Sequence, residues 1–239
     1  MPQIIRQGVA AKWRSERLQQ ARKSLHDKLR VFKGASAHQR RMYADLRKTI
    51  VFGKKFLSTF PEIEVRGKKR KKFALFLSRT DWESPVSIAL NVQDVPKGSN
   101  LPGAWHPRLM QSKLAEAGLE FDKNSVIMTL QGRQLTEREQ KAKPLLDLFK
   151  NCSGKSWADF LVERVEEHAR QLGFKQCKIR EPSTLVFYQT PVVSKPGSSR
   201  RPATDGEKLK IRQQMHKLYD GTALSHHYRK EGEFWVKDL

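Results

Sequence analysis

Gly154, Lys155 and Ser156 stand directly ahead of an amphipathic run that opens at Trp157. A glycine, a cation and a hydroxyl at the start of a helix suit a phosphate. The glycine admits close backbone approach, and the first N–H groups of the helix are unpaired and carry about half a positive charge. A nucleotide-binding P-loop would need a further glycine at 149, where Phe149 stands, and a buried strand feeding the loop. The segment before it carries Pro144 and only a short apolar run, so an NTPase loop is not expected. A plainer alternative stays open: Ser156 as an N-cap, with Gly154 making the turn. The hydroxyls of Tyr188 and Tyr219 find partners most often inside a core.

A second chemistry is that of cations. The run RGKKRKK places Arg66, Lys68, Lys69, Arg70, Lys71 and Lys72 in seven residues. Each can displace a counterion from a phosphate chain, or simply line a solvated strand edge or turn. The whole chain carries a net charge of +22. Residues 1–80 hold 22 Lys/Arg against 5 Asp/Glu, a net of +17, and residues 81–239 hold 25 against 20, a net of +5. Such an imbalance points to a polyanionic partner, a nucleic acid or a ribonucleoprotein, held by the N-terminal third.

The elements that position these groups follow from periodicity. Leu18, Ala21, Leu25, Leu29 and Phe32 recur at helical steps over 4–32, with Arg14, Arg22 and Lys23 off that face. A second helix is expected over about 36–57, with Tyr43, Leu46, Ile50 and Phe56 inward, Arg40 and Arg41 near its start, and an end before Pro61. Together these predict a basic helical hairpin over 1–60. An Arg-rich, acid-poor start also suits an organellar transit peptide, so a reducing cytoplasm or an organellar matrix is the expected compartment.

Residues 61–239 read as a mixed α/β domain. Strands are expected over 73–78, 86–92, 124–132 and 174–179, and helices over 105–119 and from Trp157 to about Leu172. Gly118 should close the first of these helices and Gly173 the second. Thr136 and Glu139 suggest a capping box for a short helix that Pro144 interrupts. On the helix after the loop, Phe160, Leu161, Val165 and Ala169 face inward, with Glu163, Glu166, Glu167 and Arg170 opposite. The Pro/Gly/Ser-rich stretch 191–206 reads as a flexible insertion. No apolar run reaches the roughly 20 residues that cross a bilayer, so no membrane partner is expected. Cys152 and Cys177 lack zinc spacing, and His226-His227 has no carboxylate at ligand distance in sequence.

Residues 154–179, GKSWADFLVERVEEHARQLGFKQCKI, resemble the acyl-CoA-binding core of the GNAT superfamily of N-acyltransferases. That family's loop has a central glycine at a helix start, and the helix ends in a Leu-Gly-Phe turn into a strand. Asn151, Cys152, Ser153, Gly154, Lys155 and Ser156 occupy the loop positions here, with Asn and Ser where the family has Gln/Arg and Gly/Ala. Residues 217–239 resemble the closing helix, turn and last strand. The resemblance implies an α+β, GNAT-like fold and acetyl-CoA held at Asn151, Ser153, Gly154, Lys155 and Ser156. It also implies acyl transfer to an amine, with Tyr219 or Tyr188 protonating the departing thiolate; Glu120 and Asp122 are the nearest candidates for a base. The alternative is a non-catalytic RNA- or DNA-binding or ribosome-associated protein on a degenerate version of that fold.

Overall fold

The computed structural model describes residues 48–49, 51–61, 63–66, 71–78, 84, 86–94, 113–132, 142–194 and 200–239. It is an α+β fold dominated by one mixed sheet. Five strands form an antiparallel meander: β1 (Ile63–Arg66), β2 (Lys71–Ser78), β3 (Val86–Asp94), β4 (Lys113–Phe121) and β5 (Ser125–Gly132). Two helices, α2 (Ala142–Ser153) and α3 (Trp157–Gln171), then carry the chain to β6 (Gln176–Arg180), which lies parallel to β5. A 3-10 turn (Pro182–Thr184), α4 (Val186–Gln189) and a ribbon of β7 (Val192–Ser194) and β8 (Arg200–Pro202) lead into α5 (Asp205–Ser225). β9 (Arg229–Glu231) and β10 (Phe234–Asp238) close the chain, giving the order β1-β2-β3-β4-β5-β6-β10-β9.

Several expectations meet this fold directly. β2, β3, β5, α3 and β6 lie where the apolar patterns put them, and Gly173 ends α3 with φ +81°. Phe160, Leu161, Val165 and Ala169 are all buried.

Others are corrected. Residues 113–119 are strand, not helix. Ala, Leu and Glu favour helix locally, but Ala115, Ala117, Leu119 and Phe121 alternate with Glu116, Gly118 and Glu120, and β3 and β5 supply hydrogen bonds on both sides. Gly118 therefore sits mid-strand, and an added Cβ would lie 2.6 Å from the Ser84 hydroxyl oxygen. Pro144 does not interrupt its helix: it is the third residue of α2, in the first turn where no N–H is needed. Residues 133–141, with the expected capping box, lie outside the described residues. The expected flexible insertion contains the β7–β8 ribbon, paired from Val192↔Pro202 to Ser194↔Arg200.

The expected end of the second N-terminal helix belongs to the sheet's core. In α1 (Lys54–Thr59), Phe56 and Leu57 are buried, and Phe60 follows them. Phe56 lies 5.3 Å from the Phe121 ring and 4.7 Å from His168 on α3. Residues 1–47, and with them the rest of the expected hairpin, lie outside the described residues. Phe149, at the position where a P-loop needs glycine, is fully buried between Phe73 and Phe160.

Candidate functional site

The parallel pair sets the geometry. β5 and β6 pair from Ser125↔Gln176 to Met128↔Ile179, after which β5 continues to Gly132 while β6 ends at Arg180. β5 thus runs on beyond the carboxyl end of β6. α3 begins at that same end, with Trp157 packed where a Cβ on Gly132 would point, at 3.1 Å. In open α/β sheets this is where ligands tend to bind.

The residues at the start of α3 are largely engaged with one another. Asn151, Cys152 and Ser153 are the last turn of α2 rather than a loop. Gly154, at φ +75°, donates its N–H to Lys150 O at 2.8 Å and so terminates α2, the left-handed position glycine favours. The Lys155 N–H points to the Ser153 hydroxyl at 3.3 Å, and Lys155 Nζ pairs with Glu163 at 2.5 Å. Ser156 is the N-cap: its Oγ accepts from Asp159 N–H at 3.2 Å and donates to Asp159 Oδ2 at 2.5 Å. The other Asp159 oxygen accepts from the Ser225 hydroxyl at 2.9 Å and lies 3.5 Å from His226 Nε2. The anion at the positive end of α3 is thus the protein's own carboxylate, tied to the end of α5. The Ser-x-x-Asp spacing was the available sequence signal for it.

Below this lies a buried ionic cluster that the sequence pattern did not indicate. Glu166, expected on the outer face, is buried beneath Lys237 of β10, whose Nζ donates to it at 2.6 Å. His226 Nδ1 lies 3.5 Å from its other oxygen. Burial alone would raise the Glu166 pKa, but the hydrogen bond from Lys237 and the His226 ring 3.5 Å away outweigh it and hold the carboxyl below its ordinary value. Burial pushes the neighbouring Cys177 thiol and Tyr228 hydroxyl strongly upward, so both stay protonated.

The two tyrosines fare differently. Tyr219 is fully buried in α5, and its hydroxyl donates to Leu130 O at 2.5 Å, two residues past the last β5 residue paired with β6. Tyr188 is partly exposed and joins a chain that sequence reasoning missed. Its hydroxyl meets His216 Nε2 at 3.1 Å, and His216 Nδ1 meets Asp220 Oδ2 at 3.3 Å. With Nδ1–H given to Asp220, Nε2 is left to accept the tyrosine proton. Arg212 donates from Nε to Tyr188 O and lies over the ring at 5.2 Å. The i,i+4 spacing of His216 and Asp220 was the signal available in sequence. Of the base candidates, Glu120 is buried in an ion pair with Arg180 at 2.5 Å, and Asp122 pairs with Lys48 at 3.1 Å.

The basic run brackets a hairpin. Arg66 ends β1, Lys71 and Lys72 open β2, and Arg66 is opposite Lys72 on the outermost strand pair of the sheet. Arg14, Arg22, Lys23, Arg40, Arg41, Lys68, Lys69 and Arg70 lie outside the described residues. Among the described residues no group of His, Cys, Asp and Glu is arranged to hold a metal ion, and no helix is long and apolar enough to cross a membrane. Comparison with protein-family models, curated proteins and solved structures found no match to this chain.

Proposed function

We propose that this chain is a non-catalytic protein that docks on nucleic acid or a ribonucleoprotein, built on a scaffold resembling an N-acyltransferase. The observation that carries the reading is the Asp159 carboxylate at the start of α3. A pyrophosphate brought there would meet a fixed negative charge and would have to displace its hydrogen bonds to Ser156 and Ser225. Lys155 is committed to Glu163, and Tyr219 to Leu130, so the residues expected to serve acetyl-CoA serve the fold instead. The charge of +22 supplies the partner class.

The test is a pair of titrations on the full chain. Acetyl-CoA at 100 times its dissociation constant would add about 2.7 kcal/mol of stability. The docking reading expects no thermal shift at millimolar acetyl-CoA, and it expects RNA affinity that falls steeply with salt. A clear shift with acetyl-CoA, or affinity indifferent to salt, would overturn it.

A second reading, acetyl transfer from acetyl-CoA to an amine, is favoured by one observation: the Tyr188–His216–Asp220 chain, in which a tyrosine hydroxyl meets an imidazole held by a carboxylate. There the amine nitrogen would attack the thioester carbonyl, the thiolate would leave with the Tyr188 proton, and the proton lost by the amine would pass to His216 Nε2 and from there restore the Tyr188 hydroxyl. Product formation abolished by Tyr188→Phe would support it.

A further inference from the structure

We propose that α5 lays its outer face along an RNA phosphate backbone, with Lys210 and Lys217 as phosphate contacts and Gly221 as the point of closest approach. The inference rests on the docking reading above and extends it to a surface far in sequence from the basic N-terminal third.

At 100° per residue, Gly206, Lys210, Gln213, Gln214, Lys217, Gly221 and Leu224 fall within about 100° of arc, and all seven are exposed. The opposite face, with Ile211, Met215 and Tyr219, is buried. The three acidic residues of α5 lie off the strip, and each is already engaged. Asp205 pairs with Lys208 at 2.8 Å, Glu207 with Arg201 at 2.8 Å, and Asp220 meets His216 at 3.3 Å. Among the described residues no ion pair involves Lys210 or Lys217. Their charges face outward with nothing of opposite sign on their own strip.

Gly221 is the second observation. A glycine inside a helix weakens it relative to alanine, so its presence calls for a reason. The fold supplies none: an added Cβ would meet nothing within 4 Å, and the residue is not among the glycines with positive φ. What a bare backbone does provide is room for another chain to come close from outside, one turn beyond Lys217.

The spacing and polarity suit RNA. Lys210 and Lys217 are roughly 10 Å apart along the helix axis, within reach of phosphates on one strand. Between them Gln213 and Gln214 each offer a donor and an acceptor, the combination that a 2′-hydroxyl, itself both, can satisfy.

The experiment is fluorescence anisotropy on the full chain with a labelled mixed-sequence single-stranded RNA, and with DNA of the same sequence, over a range of KCl. Each phosphate contact on a single strand contributes about 0.7 to the slope of log affinity against log salt. Lys210→Ala with Lys217→Ala should therefore lower the slope by about 1.4 and affinity roughly tenfold at physiological salt. The unfolding midpoint should not move, because both side chains are exposed. Gly221→Leu should raise the midpoint and still weaken RNA binding, a combination that misfolding does not produce. An unchanged slope in the double variant, wild-type affinity in Gly221→Leu, or DNA bound as tightly as RNA overturns the proposal. Salt-independent binding by the wild-type chain would instead remove the docking reading on which it rests.

Discussion

The Tyr219 hydroxyl donates to the main-chain carbonyl of Leu130, joining the middle of α5 to β5 just past the last residue that β5 shares with β6. Both groups are buried. The bond lies just beyond the end of the parallel pairing, and it turns a residue that resembles a proton donor into a tie between helix and sheet.

Tyr219→Phe should therefore act on stability. It leaves a buried carbonyl short of a partner, at a cost of about 1–3 kcal/mol. Urea denaturation should show the loss, and RNA affinity of the folded variant should equal that of the parent.

The start of α3 should behave as a cap. Ser156→Ala and Asp159→Ala should each cost about 1 kcal/mol, since each removes half of the same local arrangement and Asp159 also balances the helix dipole. The two residues are hydrogen-bonded to each other, so the double variant should lose less than the sum. Thermal unfolding of the four proteins would measure it.

Acid should expose the Glu166 cluster. The Glu166 carboxyl titrates lower in the fold than its ordinary value of 4.5, so its stabilising contribution is complete above that pH and is lost as pH falls through the lower folded value. Glu207 follows the same direction: its hydrogen bond from Arg201, then that from the Thr204 N–H, hold it at about 2. Glu166→Gln should flatten the acid limb of a stability profile taken below pH 4.5. Lys237→Met should cost about 2 kcal/mol near neutrality by leaving a buried carboxylate with less support, a figure reduced because Lys237 is itself partly exposed.

Gly53 precedes α1 with φ −88°, so alanine is no strain on the backbone there, but its Cβ would lie 2.5 Å from the Phe121 ring. Gly53→Ala should cost about 1–3 kcal/mol by overpacking. Phe121→Leu in the same chain should recover part of the loss, because the two changes share one contact. Chemical denaturation of the single and double variants would check it.

What could be read in the sequence was what a short window decides. The apolar step of Phe160, Leu161, Val165 and Ala169 specifies α3, Gly173 its end, and the β-branched run after Asn124 specifies β5, because each signal lies within a few residues of the element it forms. The charge imbalance also needs no coordinates. The stretch 113–121 could not be read in this way: its residues favour helix, and only pairing with β3 and β5 makes it a strand. The alternation of Glu116, Gly118 and Glu120 with apolar residues was a trace of that outcome, hidden by the helix-forming alanines and leucines around it.

The site divides along the same line. Gly154, Lys155 and Ser156 were legible as a turn before a helix, and that is what they make. Whether the start of α3 was open to a ligand depended on Asp159 meeting Ser225 and His226, about 66 residues further along the chain. Glu166 looked like an outward carboxylate until β10 brought Lys237 over it, and Tyr188 acquired His216 and Asp220 only when α4 packed on α5. Sequence by itself determined α3, the strands β2, β3, β5 and β6 and the chain's net charge, because these follow from local periodicity and a simple sum. Tertiary structure alone decided which polar groups are spent on one another, because a hydrogen bond depends on distance in space and the chain's order does not record it.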